Sequence, residues 1–211
     1  YIAFPVMGLN VSVGHQLLSL GVKSFFDASK DGAAGIVVVY PFGKNVVGLG
    51  TIKATENNVV TANAWSGPNG SDLDIHFGLA SFDLGGGHTL GINIANVLNN
   101  SISKASLWNY GVTLSGKLAP VTYTIAADMQ DGKNDGVNKN KGTHMRGVLG
   151  FQATPALGLN LASIYYSGEK TGTSVKNFKT YLEDTNYATF VFGYLNRGFG
   201  GAYGTGAPAP G

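Results

Sequence analysis

Apolar and polar side chains alternate with a period of two through much of the chain. In SLWNYGVTLSGKL, residues 106–118, and in VTYTIAADMQ, residues 121–130, apolar residues take one parity and polar or small residues take the other. Successive side chains of a β-strand point to opposite faces of a sheet, so this pattern is typical of strands that separate two environments. No segment shows a comparable helical period.

Similar alternating segments recur from one end of the sequence to the other. They predict about ten strands, most of them close to the roughly 9–11 residues that a tilted strand needs to cross a bilayer. No linker divides them, so we expect one β-barrel domain over residues 1–199 and a flexible Gly/Pro/Ala tail over 200–211. The predicted strands are residues 9–18, 35–42, 46–54, 74–82, 88–97, 107–118, 121–130, 145–153, 157–166 and 187–195.

The connections between these strands alternate strictly between long and short. The short turns are residues 41–45, 84–88, 118–120 and 154–156, and the long loops are residues 19–34, 55–73, 98–106, 131–144 and 167–186. Barrels of the bacterial outer membrane have this asymmetry, with short periplasmic turns and long extracellular loops. We therefore predict an all-β fold, a transmembrane antiparallel up-and-down β-barrel, or an arc of a larger barrel.

The composition agrees with a surface that lies partly outside water. Charged residues make up 12% of the chain, roughly half the usual share, whereas 44% of residues are hydrophobic and 32 are glycine. The net charge of +2, with no cluster of Lys or Arg, argues against nucleic-acid binding. There is no cysteine, and no apolar run approaches the roughly 18 residues of a membrane helix. A soluble β-sandwich or solenoid is the alternative fold.

The two faces of the predicted strands differ in chemistry. One face is aliphatic and is assigned to lipid, with Ile36, Ile75, Phe77, Ile125 and Leu149 among its members. The other face is polar but carries few charges, as the wall of a water-filled channel does. We expect this second face to line a pore through Asn109, Thr113, Ser115, Lys117, Thr122, Thr124, Asp128, Arg146, Gln152, Asn160 and Arg197.

Aromatic residues fall near the ends of the predicted strands. Tyr and Trp are enriched at both surfaces of a membrane, because their rings are apolar and their tips are polar. The alternative is that these are ordinary strand aromatics, which β-propensity also favours. The residues assigned to the membrane interfaces are Trp108, Tyr110, Tyr165 and Tyr187 at the long-loop side, and Tyr40, Tyr123 and Tyr194 at the short-turn side.

Two of the predicted strands carry apolar residues on both parities. Val37 in residues 35–42 and Ile52 in residues 46–54 lie on the side otherwise assigned to the pore. We expect such residues to pack against an inward-folded loop, with Phe25 and Phe26 of KSFFDASKDG covering them. The alternative is an error in the predicted register.

The stretch LNVSVGHQLLSLGVKSFFD, followed by GIVVVYPFGKN, has a strand–loop–strand pattern. It resembles porins of the alginate-export type, in which a Gly-(Arg/His)-Gln-x-Leu-x-x-Gly strand, an acidic loop and a Gly-(hydrophobic)-x-Tyr strand follow one another. The resemblance implies a conduction path lined by Arg and Lys for an anionic polymer, to which this chain brings Lys117, Arg146 and Arg197. It supports a porin more than any particular substrate. The matching residues are Gly14, His15, Gln16, Leu18, Gly21, Asp27, Gly35 and Tyr40.

Catalytic and metal-binding chemistry has little support in the sequence. SDLDIHFG brings Asp72 and Asp74 close to His76, and Asp83 lies across a turn from His88, which is the minimum for general-base chemistry. This spacing is common by chance, and no H-x-x-x-H or G-x-S-x-G motif occurs. We expect no enzymatic activity, metal or cofactor.

These observations predict an outer-membrane porin that lets small hydrophilic solutes diffuse passively, with a slight preference for anions. Its expected surroundings are outer-membrane lipid and lipopolysaccharide, with no nucleic acid. A homo-oligomer or an envelope protein partner stays open. One alternative is a barrel scaffold or adhesin whose extracellular loops or lumen bind a partner protein. A second alternative is an outer-membrane enzyme with Asp and His at the barrel mouth.

Overall fold

A computed structural model describes residues 1–55, 73–99, 105–133, 139–154, 157–167, 174–175 and 178–182, and the secondary structure of these residues is entirely β. Over the same residues, no helix is long and apolar enough to span a membrane. The strands are β1 (Ile2–Val6), β2 (Leu9–Leu20), β3 (Phe26–Phe42), β4 (Asn45–Thr55), β5 (Leu73–Gly85), β6 (His88–Asn99), β7 (Ala105–Leu118), β8 (Val121–Lys133), β9 (Lys139–Asn140), β10 (Thr143–Thr154), β11 (Leu157–Tyr166), β12 (Ser174–Val175) and β13 (Tyr181–Leu182).

The strands form one antiparallel up-and-down sheet in the order β1-β2-β3-β4-β5-β6-β7-β8-β10-β11. The short strands β12 and β13 add parallel pairings, to β9 and to β3. Within the described residues β1 and β11 do not pair with each other, so the sheet is open and the expected closure into a barrel is not seen there. The all-β antiparallel prediction is confirmed.

Every predicted strand that falls on described residues is present in the structure. The prediction for residues 187–195 and the predicted tail at 200–211 lie outside the described residues. Four further strands were not predicted, because β1 is short and contains Pro5 and because β9, β12 and β13 have only two residues each.

The hairpin between β2 and β3 corrects the prediction of a long first loop at residues 19–34. Strand pairing continues to Leu20 opposite Phe26, and the two strands are joined only by residues 21–25. The extra residues of β3 instead form an irregularity, since Gln16 pairs with Ala33 but Leu18 pairs with Ala28. The stretch SKDG in this part of β3 is polar on both parities, so its sequence does not show the alternation expected of a strand.

The sheet is strongly curled, and contacts across its inner face show this directly. The turn between β2 and β3 contacts β10, where Arg146 Nη1 donates to the carbonyl oxygen of Val22 at 2.9 Å, and β8, where the Ser24 hydroxyl lies 3.2 Å from Asp128 Oδ2. Strands β3 and β8 are five positions apart in the sheet, which is about 24 Å in a flat sheet with ordinary strand spacing. The concave side is called the inner face below, and the convex side the outer face.

A hydrophobic core lies on the inner face, toward the end of the sheet where the long loops are. It joins Phe25 and Phe26 of the first turn to Val37 and Ile52 of the wall, which confirms the expected inward-folded segment. Other members come from strands farther along the sheet. The core consists of Leu20, Phe25, Phe26, Ala28, Ala33, Val37, Ile52, Leu73, Ile75, Phe77, Ala95, Val97, Leu107 and Phe178.

Strand β5 faces the opposite way from the sequence prediction. Ile75 and Phe77 were assigned to the lipid side, but they are buried on the inner face opposite Ile52 and Gly50 of β4. His76 lies on the outer face instead and is exposed. The prediction was wrong because the apolar side of this strand packs on the inner core with Phe25 and Phe26, and alternation does not show which face of a sheet is covered by protein.

The ring of Phe77 packs over Gly50, its direct partner across the sheet. A Cβ at Gly50 would lie 2.5 Å from Phe77 Cζ and 2.8 Å from the carbonyl oxygen of Ile36. A Cβ at Gly147, in contrast, would have no atom within 4 Å. These two glycines therefore differ in the space that surrounds them.

We predict that Gly50→Ala lowers the free energy of unfolding by about 1–3 kcal/mol, because the core must shift to admit the methyl group. Gly147→Ala is the matched control and leaves that free energy unchanged or slightly raised, because glycine weakens a strand. Urea unfolding in lipid vesicles, followed by circular dichroism, measures both. Equal effects of the two substitutions would contradict the packing of Phe77 on Gly50.

Asp83 connects two neighbouring short turns. Its backbone N–H donates to Asn45 Oδ1 at 2.9 Å, its Oδ1 accepts from the Gly85 N–H at 2.9 Å, and its Oδ2 lies 3.4 Å from Lys44 Nζ. The Gly85 N–H, followed by Lys44, lowers the pKa of the Asp83 carboxyl below its ordinary value of 3.8. The ionised form therefore stabilises this end of the sheet.

We predict that the stability difference between the native chain and Asp83→Asn depends on pH. A lowered folded-state pKa contributes stability above the unfolded value, and this contribution is lost as the pH falls through the folded value. The difference should stay constant from neutral pH to above 3.8 and shrink below it. Unfolding midpoints measured over this range test the prediction, and a difference that grows on acidification would refute it.

Candidate functional site

The inner face of the curled sheet is the candidate site, because most of the predicted pore-lining residues lie there. Residues that pair directly across neighbouring strands lie on the same face of a sheet. The register links Asn109 to Gln130, Thr113 to Ala126 and Arg146, and Asp128 to His144. The predicted residues on this face are Asn109, Thr113, Ser115, Lys117, Thr122, Thr124, Asp128, Arg146, Gln152 and Asn160. Arg197 lies outside the described residues.

One row of the inner face crosses five successive strands of the sheet. It runs from Asn93 in β6 through Gly111, Asp128 and His144 to Tyr166 in β11. Gly111 is required in this row, because a Cβ there would overlap the side chains of both Asn93 and Asp128. The missing side chain lets the amides of β6 and β7 approach the carboxylate of β8.

The carboxylate of Asp128 is the centre of a buried polar cluster. Asp128 is 2% exposed. Its Oδ1 accepts a hydrogen bond from Asn109 Nδ2 at 3.1 Å, and its Oδ2 lies 3.0 Å from His144 Nδ1 and 3.2 Å from the Ser24 hydroxyl. A carboxylate is stable at such burial only when hydrogen bonds replace its water, as they do here. Asp128 thus faces protein groups, and solutes in an open channel would not meet it.

The turn between β2 and β3 is fixed to this cluster. Ser24 is fully buried and contacts the carbonyl of Gly21 as well as Asp128. Arg146 supports the same turn from β10 through its bond to the carbonyl of Val22. Residues 21–26 therefore cross from one side of the curled sheet to the other.

Residues 178–182 contact the same region from the C-terminal side. Gln130 binds the backbone of Lys179 twice, since its Nε2 donates to the carbonyl at 2.7 Å and its Oε1 accepts from the N–H at 2.8 Å. The Phe178 ring packs against His144 and Tyr166, with centroid distances of 5.3 and 5.7 Å. Beyond Phe178, β13 pairs with the start of β3.

Residues 21–26 and 178–182 together fill the inner side of the sheet near the long loops, and we call them the interior plug. Phe25, Phe26 and Phe178 bring apolar packing to it, while Asp128 and Gln130 bind it through polar contacts. The long-loop half of the inner face is therefore packed with protein.

The short-turn half of the inner face is open. Lys117, Thr122, Gln152 and Asn160 are exposed there and line a cavity of about 400 Å³ between β7, β8, β10 and β11. Gly150 lies between Thr122 and Asn160 in the register and leaves room between their side chains. This half is polar, with Lys117 as the charged side chain of the cavity lining.

The outer face is apolar and carries the aromatic residues assigned to the membrane interfaces. Trp108 and Tyr110 are exposed there and stack on each other with centroids 6.2 Å apart. Tyr40 and Tyr165 are also exposed, and the Tyr123 hydroxyl lies 2.9 Å from His88 Nδ1. Tyr187 and Tyr194 lie outside the described residues.

The candidate catalytic residues do not form a site in the described part of the chain. Asp74 and His76 lie on the outer face, and His88 contacts Tyr123. The pair of Asp128 and His144 has the geometry of a general base held by a carboxylate, but both side chains are sealed from solvent. Among the described residues, no group of three or more potential metal ligands lies together.

Several residues of the buried cluster were missed by the sequence prediction. Gln130 is the last residue of the predicted strand 121–130 and has the parity of Asp128. His144 precedes the predicted strand 145–153 by one position and has the parity of Arg146, so following the alternation to these two positions would have included them. Ser24 and Phe178 carry no such signal, because their roles depend on contacts between distant segments.

The comparisons with known proteins identify no family for the chain. No protein-family model matches the sequence, and no curated protein matches it significantly. The function is therefore argued from the geometry described above.

We predict that Asp128→Ala lowers the free energy of unfolding by about 3 kcal/mol, because it leaves three buried polar partners without their acceptor. Asp131→Ala is the matched control in the same strand. Asp131 is exposed and its contact with Lys139 is 3.8 Å long, so the loss should be under about 1 kcal/mol. Asp128→Asn should lower the free energy of unfolding by less than Asp128→Ala does. Equal losses at positions 128 and 131, measured by urea unfolding, would show that the buried cluster does not stabilise the fold.

Proposed function

We propose that this chain forms the wall of a pore in the bacterial outer membrane, through which small hydrophilic solutes diffuse passively. In this proposal the outer face meets lipid and lipopolysaccharide, and the inner face meets water. The two resemblances that the sequence offers, to outer-membrane barrels in general and to porins of the alginate-export type in particular, agree with it.

The observation that carries the proposal is the contrast between the two faces of the sheet. Large apolar side chains stand exposed across the outer face, with Leu161 69% and Leu49 64% exposed. A continuous apolar surface of this kind is unstable in water and is usually covered by a partner or a membrane. An antiparallel sheet with its backbone groups paired between strands can enter hydrocarbon, provided that its edges are also paired.

The aromatic residues support a membrane position of the same sheet. Trp108, Tyr110 and Tyr165 lie toward the long-loop end of the outer face, whereas Tyr40 and Tyr123 lie toward the short-turn end. Between them the outer face carries aliphatic side chains such as Leu161 and Ile125. This order matches two aromatic girdles around a hydrocarbon band.

The open half of the inner face supports passive diffusion rather than tight binding. Its exposed hydroxyl and amide groups are neutral, and the few charges fit a weak selectivity. Lys117 is exposed and Arg146 is half-buried, whereas the Asp128 carboxylate is enclosed by protein. Asp83 on the same face is paired with Lys44, so Lys117 is the charge that lines the open cavity, and it favours anions slightly.

A second candidate function is a scaffold whose interior or loops bind an envelope partner. The interior plug favours it, because the long-loop half of the inner face is packed with protein in the structure. The two candidates differ in one measurable property, since only a pore conducts ions.

We predict that the refolded chain produces conductance steps in planar bilayers that scale with salt, and that Lys117→Gln reduces the anion preference. Lys53→Gln is the matched control, since Lys53 lies on the outer face. Reversal potentials under a salt gradient measure the selectivity. Folded protein without steps favours the scaffold, and equal shifts from both substitutions would remove Lys117 from the conduction path.

A further inference from the structure

We propose that the interior plug, residues 21–26 and 178–182, is a gate that is held closed by side chains of the inner face and opens the long-loop half of the pore when it is released. This inference rests on the proposed function, because a gate needs a pore to close. It assigns a regulatory role to the buried cluster around Asp128, which passive diffusion does not require.

The first contact that holds the gate closed is the carboxylate of Asp128. It binds Ser24 of the plug at 3.2 Å, while Asn109 and His144 bind it from the wall on either side. Arg146 adds a bond to the Val22 carbonyl at 2.9 Å. Residues 21–26 are thus attached to β8 and β10 by hydrogen bonds, and water can replace these bonds when the segment is released.

The second contact is the side chain of Gln130. By donating to the Lys179 carbonyl and accepting from the Lys179 N–H, its amide imitates the pairing of a neighbouring strand. Phe178 lies beside this bond, with its ring against His144 and Tyr166. This side chain therefore supplies the polar part of the attachment of residues 178–182 to the wall.

The closed arrangement contains strain that opening would release. Val22 and Lys23 are consecutive non-glycine residues with positive φ, at 49° and 66°. A β-branched residue is rare in this region, and such strain persists only where surrounding contacts impose it. The structure imposes it here through Arg146 and the Ser24 turn, so freeing the plug also frees the backbone.

Buried polar groups without hydrogen-bond partners also make the closed arrangement less favourable. His144 Nε2 and both side-chain atoms of the Asn140 amide are buried with no hydrogen-bond partner among the described residues. Such groups cost free energy in a dry interior and lose that cost when water reaches them. The polar and strained parts of the plug thus oppose its apolar packing.

The direct test is the double variant Ser24→Cys/Asp128→Cys, in a chain that has no native cysteine. When reduced, it lacks the contact between plug and wall, and we expect the ratio of open to closed states in planar bilayers to rise roughly tenfold. When oxidised with copper–phenanthroline, the disulfide ties the plug to β8 and should return the channel to its closed level. A cross-linked, oxidised variant that still conducts at the open level would refute the gate.

A second variant tests the attachment of residues 178–182 and leaves Ser24 and Asp128 in place. Gln130→Ala should also raise the open-to-closed ratio roughly tenfold, because two hydrogen bonds are lost. Met129→Ala is the control in the same strand, since Met129 is exposed on the outer face, and it should leave the ratio unchanged. Heat-modifiable migration on gels verifies that each variant is folded.

Labelling reports on the motion independently of conductance. Ala126 is 2% exposed on the inner face, so Ala126→Cys should react slowly with a membrane-impermeant maleimide and faster in the Gln130→Ala background. Unchanged labelling and unchanged conductance in both plug variants would overturn the gate while leaving the pore intact. Faster labelling without conductance in any variant would support the motion and refute the pore.

Discussion

The alternation of side chains along each strand is the constraint on which the rest of this structure depends. A strand cannot turn two successive residues to the same side, so every residue added to the inner face fixes a neighbour on the outer face. The curled sheet therefore presents one apolar and one largely polar surface through most of its strands. The buried carboxylate of Asp128 and the exposed chain of Met129 are adjacent residues that obey this rule.

The inner face has two halves that differ in how they are filled. Near the short turns, small polar side chains leave a space that stays open beside Lys117 and Thr122. Near the long loops, two distant segments fold onto the same face and fill it. The boundary between the halves is the row around Asp128, whose carboxylate binds Ser24 of the plug and Asn109 and His144 of the neighbouring strands. The proposed function accordingly divides between two regions, with a path in the open half and its control in the packed half.

Sequence periodicity predicts the central strands well and the interior poorly. Residues 107–118 and 121–130 alternate cleanly, because one of their faces is aliphatic and the other is small and polar, and both strands lie where they were expected. Strand β5 was assigned the wrong faces because its inner residues Ile75 and Phe77 pack against a segment that is distant in sequence. Ser24 and Phe178 were missed for the same reason, because their contacts form between distant segments that the curl of the sheet brings together.

The proposed membrane position of the sheet rests on the chemistry of its two faces, and three consecutive residues of β11 test it. The chain has no cysteine, so Leu159→Cys, Asn160→Cys and Leu161→Cys can each carry one nitroxide label in lipid vesicles. The account predicts that labels at 159 and 161 are relaxed by oxygen, which concentrates in lipid, and the label at 160 by a water-soluble nickel chelate. Equal access of the nickel chelate to all three positions would contradict a sheet with one face in lipid and one in water.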